Sequence, residues 1–176
     1  MAAFETSVLT THPLDFLLYG SPVMYLRPEY LREDAAALAD DGYEVVQIDG
    51  SGWTSEADVH ASISQSLQFP DYYGRNFHAL NDCLGDVATH EYGTNPSAKG
   101  TVIVIDEAGS FAAASPGVFA AIVEAFAGTI VYAMKFGHRM LVMLKVDDPN
   151  LKIPLQGERT RWNHREWLDS KRILPA

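Results

Sequence analysis

Short apolar runs alternate along this chain with stretches whose apolar residues recur every third or fourth position, and that alternation predicts strands followed by helices. After a short element around residues 14–19, the Gly20-Ser21-Pro22 turn leads into Val23-Met24-Tyr25-Leu26, a compact apolar run that reads as a strand. Pro28 then opens a helix over 29–40, with Tyr30 or Leu31, Ala35 and Leu38 on one face and Gly42 as its stop. Residues 43–48 (YEVVQI) predict a second strand, ending at the Asp49-Gly50 turn. Ser55 caps the next helix, because Asp58 lies three residues on and acidic groups favour an amino-terminal turn. In that helix Val59, Ile63 and Leu67 recur at every fourth position as one apolar stripe, and Pro70 interrupts it.

Farther on, Phe77, Leu80 and Leu84 follow helical spacing. Residues 101–105 (TVIVI) form a continuous β-branched run, as a strand covered on both faces requires. Residues 118–134 predict an apolar helix and 140–144 (MLVML) a further strand. This succession predicts an α/β fold, a parallel sheet of three to four strands flanked by helices and joined by right-handed crossovers. Residues 43–146 make the body, residues 1–42 an extension that adds a strand and a helix, and residues 147–176 a tail packed on the body. In that tail Pro149, Pro154 and Gly157 argue for irregular chain, and Trp162 and Trp167 for anchors that pin it down.

Composition narrows the function. The single cysteine, Cys83, rules out an intramolecular disulfide, and MAAFETSVLTTHPLDF lacks the basic stretch and apolar run of a secretory signal, so a cytoplasmic location is expected. The segment 111–134 carries one charge, Glu124, yet Pro116, Gly117, Gly128 and its alanine-rich make-up point to a buried helix rather than a membrane span. The net charge of −10 divides unevenly: residues 1–150 sum to −13 and residues 151–176 to +3. An acidic body repels nucleic acid and attracts basic proteins, so no direct nucleic-acid contact and no membrane contact is expected.

The most informative stretch is 71–84, DYYGRNFHALNDCL. On a helix starting at Asn76, the side chains of Phe77, Leu80 and Leu84 share a core-facing side with Ala79 and Cys83 beside them, while His78, Asp82 and Asp86 are spaced by four and project the other way with Asn81 next to Asp82. A short helix that packs by one side and shows a carboxylate, an amide and an imidazole on the other is a recognition element. Tyr72 and Tyr73 precede Gly74 at the same end and supply ring area suited to a contact surface, although at least one of them is expected to close the core above the loop. Cys83 falls on the apolar side and is expected to be a buried thiol.

The run Pro70-Asp71-Tyr72-Tyr73-Gly74-Arg75-Asn76, followed by Ala79-Leu80 and Asp82-Cys83-Leu84, resembles the loop and second helix of the barstar family of ribonuclease inhibitors. The resemblance extends over the order of elements from 43 to 144, about two thirds of the chain. It implies a helix and preceding loop that plug a nuclease active site, with a carboxylate taking a phosphate subsite at the position of Asp82. It also implies contact positions at Tyr72 or Tyr73, Asn76, His78 and Asn81, with Gly74 in the loop between them. The chain departs from the family pattern at three contacts: His78 stands where the family has an acid, Asn81 where it has an aromatic residue, and Tyr132 where it has an acidic contact on the later helix. The implied partner is a basic ribonuclease, of an extracellular type or a toxin that the inhibitor would neutralise as an immunity protein, and no cofactor is implied. A non-inhibitory interaction module on the same scaffold is the alternative. An enzyme is disfavoured, because His60, His78, His90 and His138 fall in no HExxH, GxSxG, Walker or GxGxxG pattern.

Overall fold

The structure, a computed structural model, describes residues 13–18, 20–155, 160–168 and 172. Its elements in chain order are α1 (Pro13–Leu18), β1 (Val23–Tyr25), α2 (Pro28–Asp40), β2 (Glu44–Asp49), α3 (Glu56–Ser66), α4 (Phe77–Ala88), β3 (Thr101–Asp106), α5 (Gly109–Ala114), α6 (Pro116–Lys135), β4 (Met140–Lys145) and β5 (Arg161–Trp162). The five strands form one sheet in the order β2-β3-β4-β1-β5, and all four pairings are parallel. Strand alternation then divides the core in two. Ile103, Ile105, Val142 and Leu144 face the layer of α3 to α6, while Val102, Val104, Leu141 and Met143 face α1 and α2.

Local chemistry starts and stops these elements. Pro28 occupies the first turn of α2, where its missing N–H costs nothing, and Gly42, at φ +94°, turns the chain out of that helix in a conformation open to glycine. Ser55 and Asp58 form a reciprocal capping box on α3. The hydrogen bonds from Thr54 and Ser55 hold the Asp58 carboxyl at about 2, well below its ordinary value.

Three features depart from the sequence expectations. The sheet has five strands instead of three or four, because the tail returns to the edge of β1: Arg161 N–H donates to Pro22 O at 3.1 Å and Asn163 N–H to Met24 O at 3.0 Å. Trp162 packs against the core as an anchor, but Trp167 is exposed. The apolar stretch 111–134 is split into α5 and α6, because Pro116 starts a new helix and donates no N–H that could continue the old one. Among the described helices α6 has the length and hydropathy to cross a bilayer. Its Phe119, Ile122, Val123, Phe126 and Ile130 are buried in the core that it shares with α4, α5 and β4.

The strand at the amino-terminal end joins the sheet as expected, beside β4. It is locked there by buried polar groups. Glu166, fully buried, accepts N–H bonds from Leu26 and Arg27 at 3.0 Å each, with Asn163 Nδ2 and the Arg27 guanidinium completing its shell. Arg165 reaches Asp34 and Glu33 at 2.6 Å each, donates to Tyr30 O and lies over the Tyr30 ring. Tyr25 Oη donates to Asp34 at 2.8 Å.

Candidate functional site

The site begins with the loop that sets the amino-terminal end of α4. Asn76 caps the helix: its Oδ1 accepts from Ala79 N–H at 3.0 Å, and its Nδ2 donates back to Gly74 O at 3.2 Å. An ideal Cβ on Gly74 would lie 3.1 Å from that Nδ2, so glycine leaves room for the cap. Asn76 is therefore exposed but already engaged by its own backbone.

The two tyrosines before it part ways. Tyr72 is 80% exposed, while Tyr73 is 9% exposed and turned inward. The Tyr73 hydroxyl meets His60 Nδ1 at 2.5 Å, and its ring packs edge-on against Phe69. Burial pushes its pKa up to about 12. Tyr73 thus shapes the loop from beneath, and Tyr72 offers its ring to solvent. His60 is a residue whose part sequence reasoning missed; it stands on the α3 stripe, one place after Val59, and is as buried as that valine.

On α4 the expected division into two faces is present. Leu80, Cys83, Leu84, Val87 and Ala88 are buried, with Phe77 packed beside them. His78, Asn81 and Asp82 are exposed, and the side chain of none of the three makes a hydrogen bond or ion pair to the described residues. Asp86 departs from the expectation that it projects freely. It is half-buried, and Tyr92 Oη lies 3.3 Å from its Oδ2 and 3.2 Å from Cys83 O, because the chain after α4 folds back under that turn.

A groove runs between α4 and α6. One section, about 490 Å³, is lined by Asn81, Asp82, Gly85, Asp86, Thr89, Gly128, Thr129 and Tyr132. A second, about 380 Å³, continues past Asn81 and Ala125 to Phe77, Gly117, Glu124 and Pro154. The fold therefore gathers Asn81, Asp82, Asp86 and Tyr132 around one cleft, whereas Tyr72 and Asn76 stand at the loop end. Tyr132 is 40% exposed, and its ring lies 3.8 Å from where a Cβ on Gly85 would sit. Glu124 was not among the expected contacts, although its position as the lone charge in an apolar stretch was the signal that could have found it. The cleft presents carboxylates at Asp82, Asp86 and Glu124 with hydroxyl and amide groups between them, a lining suited to guanidinium or ammonium groups. Among the described residues no group of three or more His, Cys, Asp or Glu is gathered to hold a metal ion.

Comparison with known proteins meets this geometry from the other side. The family described as Barstar (barnase inhibitor) matches residues 43–145, from β2 through β4, which is more than half of the chain and includes α4 and its loop. The protein named "Putative ribonuclease inhibitor YrdF" of Bacillus subtilis (strain 168) is 49% identical over 37 residues, which make up 21% of this chain and 41% of that protein. The chain thus matches less than half the length of that relative. With the parallel sheet, the capped α4 and its outward polar face all inside the matched segment, the chain belongs to the barstar family, whose members are inhibitors and not enzymes.

Proposed function

We propose that this chain inhibits a basic ribonuclease by laying α4 and its preceding loop into the enzyme's RNA-binding groove, with the Asp82 carboxylate standing where a phosphate would bind. The observation that carries this reading is the state of Asp82: exposed, without an intramolecular partner among the described residues, and fixed on a helix whose other face is in the core. A nuclease that grips RNA needs a cationic groove, and a rigid carboxylate beside a hydrogen-bonding cleft competes for it by charge and geometry. The net charge of −10 adds long-range attraction to such a partner. The name of the Bacillus subtilis relative and the family description point the same way.

His78, Asn81 and Tyr132 stand where the family resemblance would have an acid, an aromatic residue and an acid. These differences favour a target other than barnase itself. The test is affinity capture from the native host with the full chain, followed by an RNA-cleavage assay of the captured protein with and without added chain. A captured ribonuclease that the chain silences is expected. A partner that does not cut RNA, or a ribonuclease whose rate the chain leaves unchanged, would replace this reading with that of a non-inhibitory interaction module.

A further inference from the structure

α4 is too small to hold another protein by itself. Its 12 residues span about 18 Å and a helix is about 10 Å wide, so its outer side covers roughly 180 Å² against the roughly 800 Å² that each partner of a stable complex buries. A protein that settles on Asp82 must therefore reach beyond α4. The loop end supplies Tyr72, and across the cleft the next surface is the outer side of α6, because Asp82 and Tyr132 line the same section of about 490 Å³.

That far bank differs in chemistry from α4. From Gly128 to Gly137 the chain holds one charged residue, Lys135, and no carboxylate. What it turns outward is ring surface: Tyr132 is 40% exposed and Phe136, one turn later at the end of α6, is 52% exposed. The two rings meet edge to face with centroids 5.0 Å apart. Tyr132 also borders α4, where a Cβ on Gly85 would lie 3.8 Å from its ring, and Phe136 lies 6.5 Å from the ring of His138. Neighbours on both sides thus hold the pair in place before a partner arrives, so covering it orders little that was free. A second copy of the chain is a poor occupant, since two molecules at −10 repel. The rim of the Asp82 cleft is instead where the partner of Asp82 must lie.

We propose that Tyr132 and Phe136 form an aromatic anchor of the same interface, taking an apolar or aromatic side chain from the lip of the ribonuclease's cationic groove. The proposal rests on the reading of α4 as the inhibitory element, and it divides the labour between the two banks. Asp82 draws the partner in and orients it by charge. The ring pair exerts no long-range attraction and slows the partner's departure by burial.

The test uses the full chain and the ribonuclease captured with it from the native host, with association and dissociation rates followed over a range of salt concentrations. Phe136→Ser removes a ring that belongs to neither core cluster, so the melt is expected to match the parent's. It should weaken the complex at least about tenfold through faster dissociation, with the salt dependence of association unchanged, whereas Asp82→Ala should flatten that salt dependence. Phe136→Tyr, which keeps the ring, should bind within about threefold of the parent, and Phe136→Leu takes the place of the serine variant should that one fail to fold. Phe136→Ser binding within about twofold of the parent, while Asp82→Ala weakens the complex, would overturn the anchor and leave the inhibitory reading standing. Failure of the chain to capture and silence any ribonuclease would overturn both. A parent that sediments as a dimer and a Phe136→Ser variant that sediments as a monomer would assign the rings to a second copy and overturn the anchor.

Discussion

Asp82 and Glu166 are both carboxylates, one on a helix and one in the turn after β5, and they meet opposite fates. Glu166 is fully buried at the junction of the tail with β1 and α2, where two backbone N–H groups, an amide and a guanidinium consume its acceptor capacity. Asp82 is exposed on α4 and meets no partner among the described residues. A charge satisfied within the chain works as structure, since removing it strands the groups it served. A charge held rigidly and left unsatisfied is available to another molecule. The junction lies outside the segment matched by the family and α4 lies inside it, so this chain has built its extra stability and its recognition surface from the same chemistry in separate places.

That contrast is broken most forcefully at the junction. Glu166→Ala should cost about 3–5 kcal/mol of stability, because it leaves the buried Leu26 N–H and the buried Asn163 amide without their acceptor; denaturant unfolding measures it. Under conditions where the variant is folded, its affinity for the partner should stay within about twofold of the parent's, since the Glu166 side chain bonds within the junction and not to α4. A loss of affinity as large as the loss of stability would mean that the regions are coupled.

Asp82→Ala should do the reverse. The expected loss of binding is about 2 kcal/mol or more, roughly thirtyfold, while unfolding shifts by less than about 0.5 kcal/mol because no core packing is removed. Calorimetric titration with the cognate nuclease and a parallel melt decide it; full inhibition by the variant would remove Asp82 from the mechanism. Asp86→Ala should weaken binding less, because Tyr92 already shares its carboxylate.

Asn76→Ala sharpens the comparison, since Asn76 is both exposed and structural. Loss of the cap should cost about 1 kcal/mol of stability, with a smaller loss of affinity as the loop end of α4 frays. An affinity loss larger than the stability loss would move Asn76 into direct contact with the partner.

The smallest expected effect is a pH response of the loop. The folded pKa of Tyr73, about 12, lies above its ordinary 10.0, so the fold favours the protonated ring. This contribution is fully present below pH 10 and is lost as the pH rises from 10 to 12. Phenolate absorbance should show one tyrosine ionising near 12 that moves toward 10 in a His60→Ala variant. Ionisation of Tyr73 at its ordinary value in the parent would mean that the ring is not held inward.

Much of this was legible along the chain, and the reasons are local. The capping box at Ser55 and Asp58 and the two faces of α4 depend on residues three or four apart, which a helix brings together by its own geometry. The β-branched run at 101–105 marked itself as a central strand because both of its faces had to be apolar. The strand Arg161–Trp162 could not be read, since two residues carry no period and their pairing partner lies far back at Val23 and Met24. Nor could the chain itself separate Tyr72 from Tyr73, or Asp82 from Asp86. Each pair shares a residue type and a helix or loop, and the outcome depended on His60 and Tyr92 arriving from elsewhere. Sequence determined which residues could face outward from α4, and tertiary structure decided which of them stayed unpaired, because a polar side chain goes without a partner only where packing brings no donor or acceptor within reach.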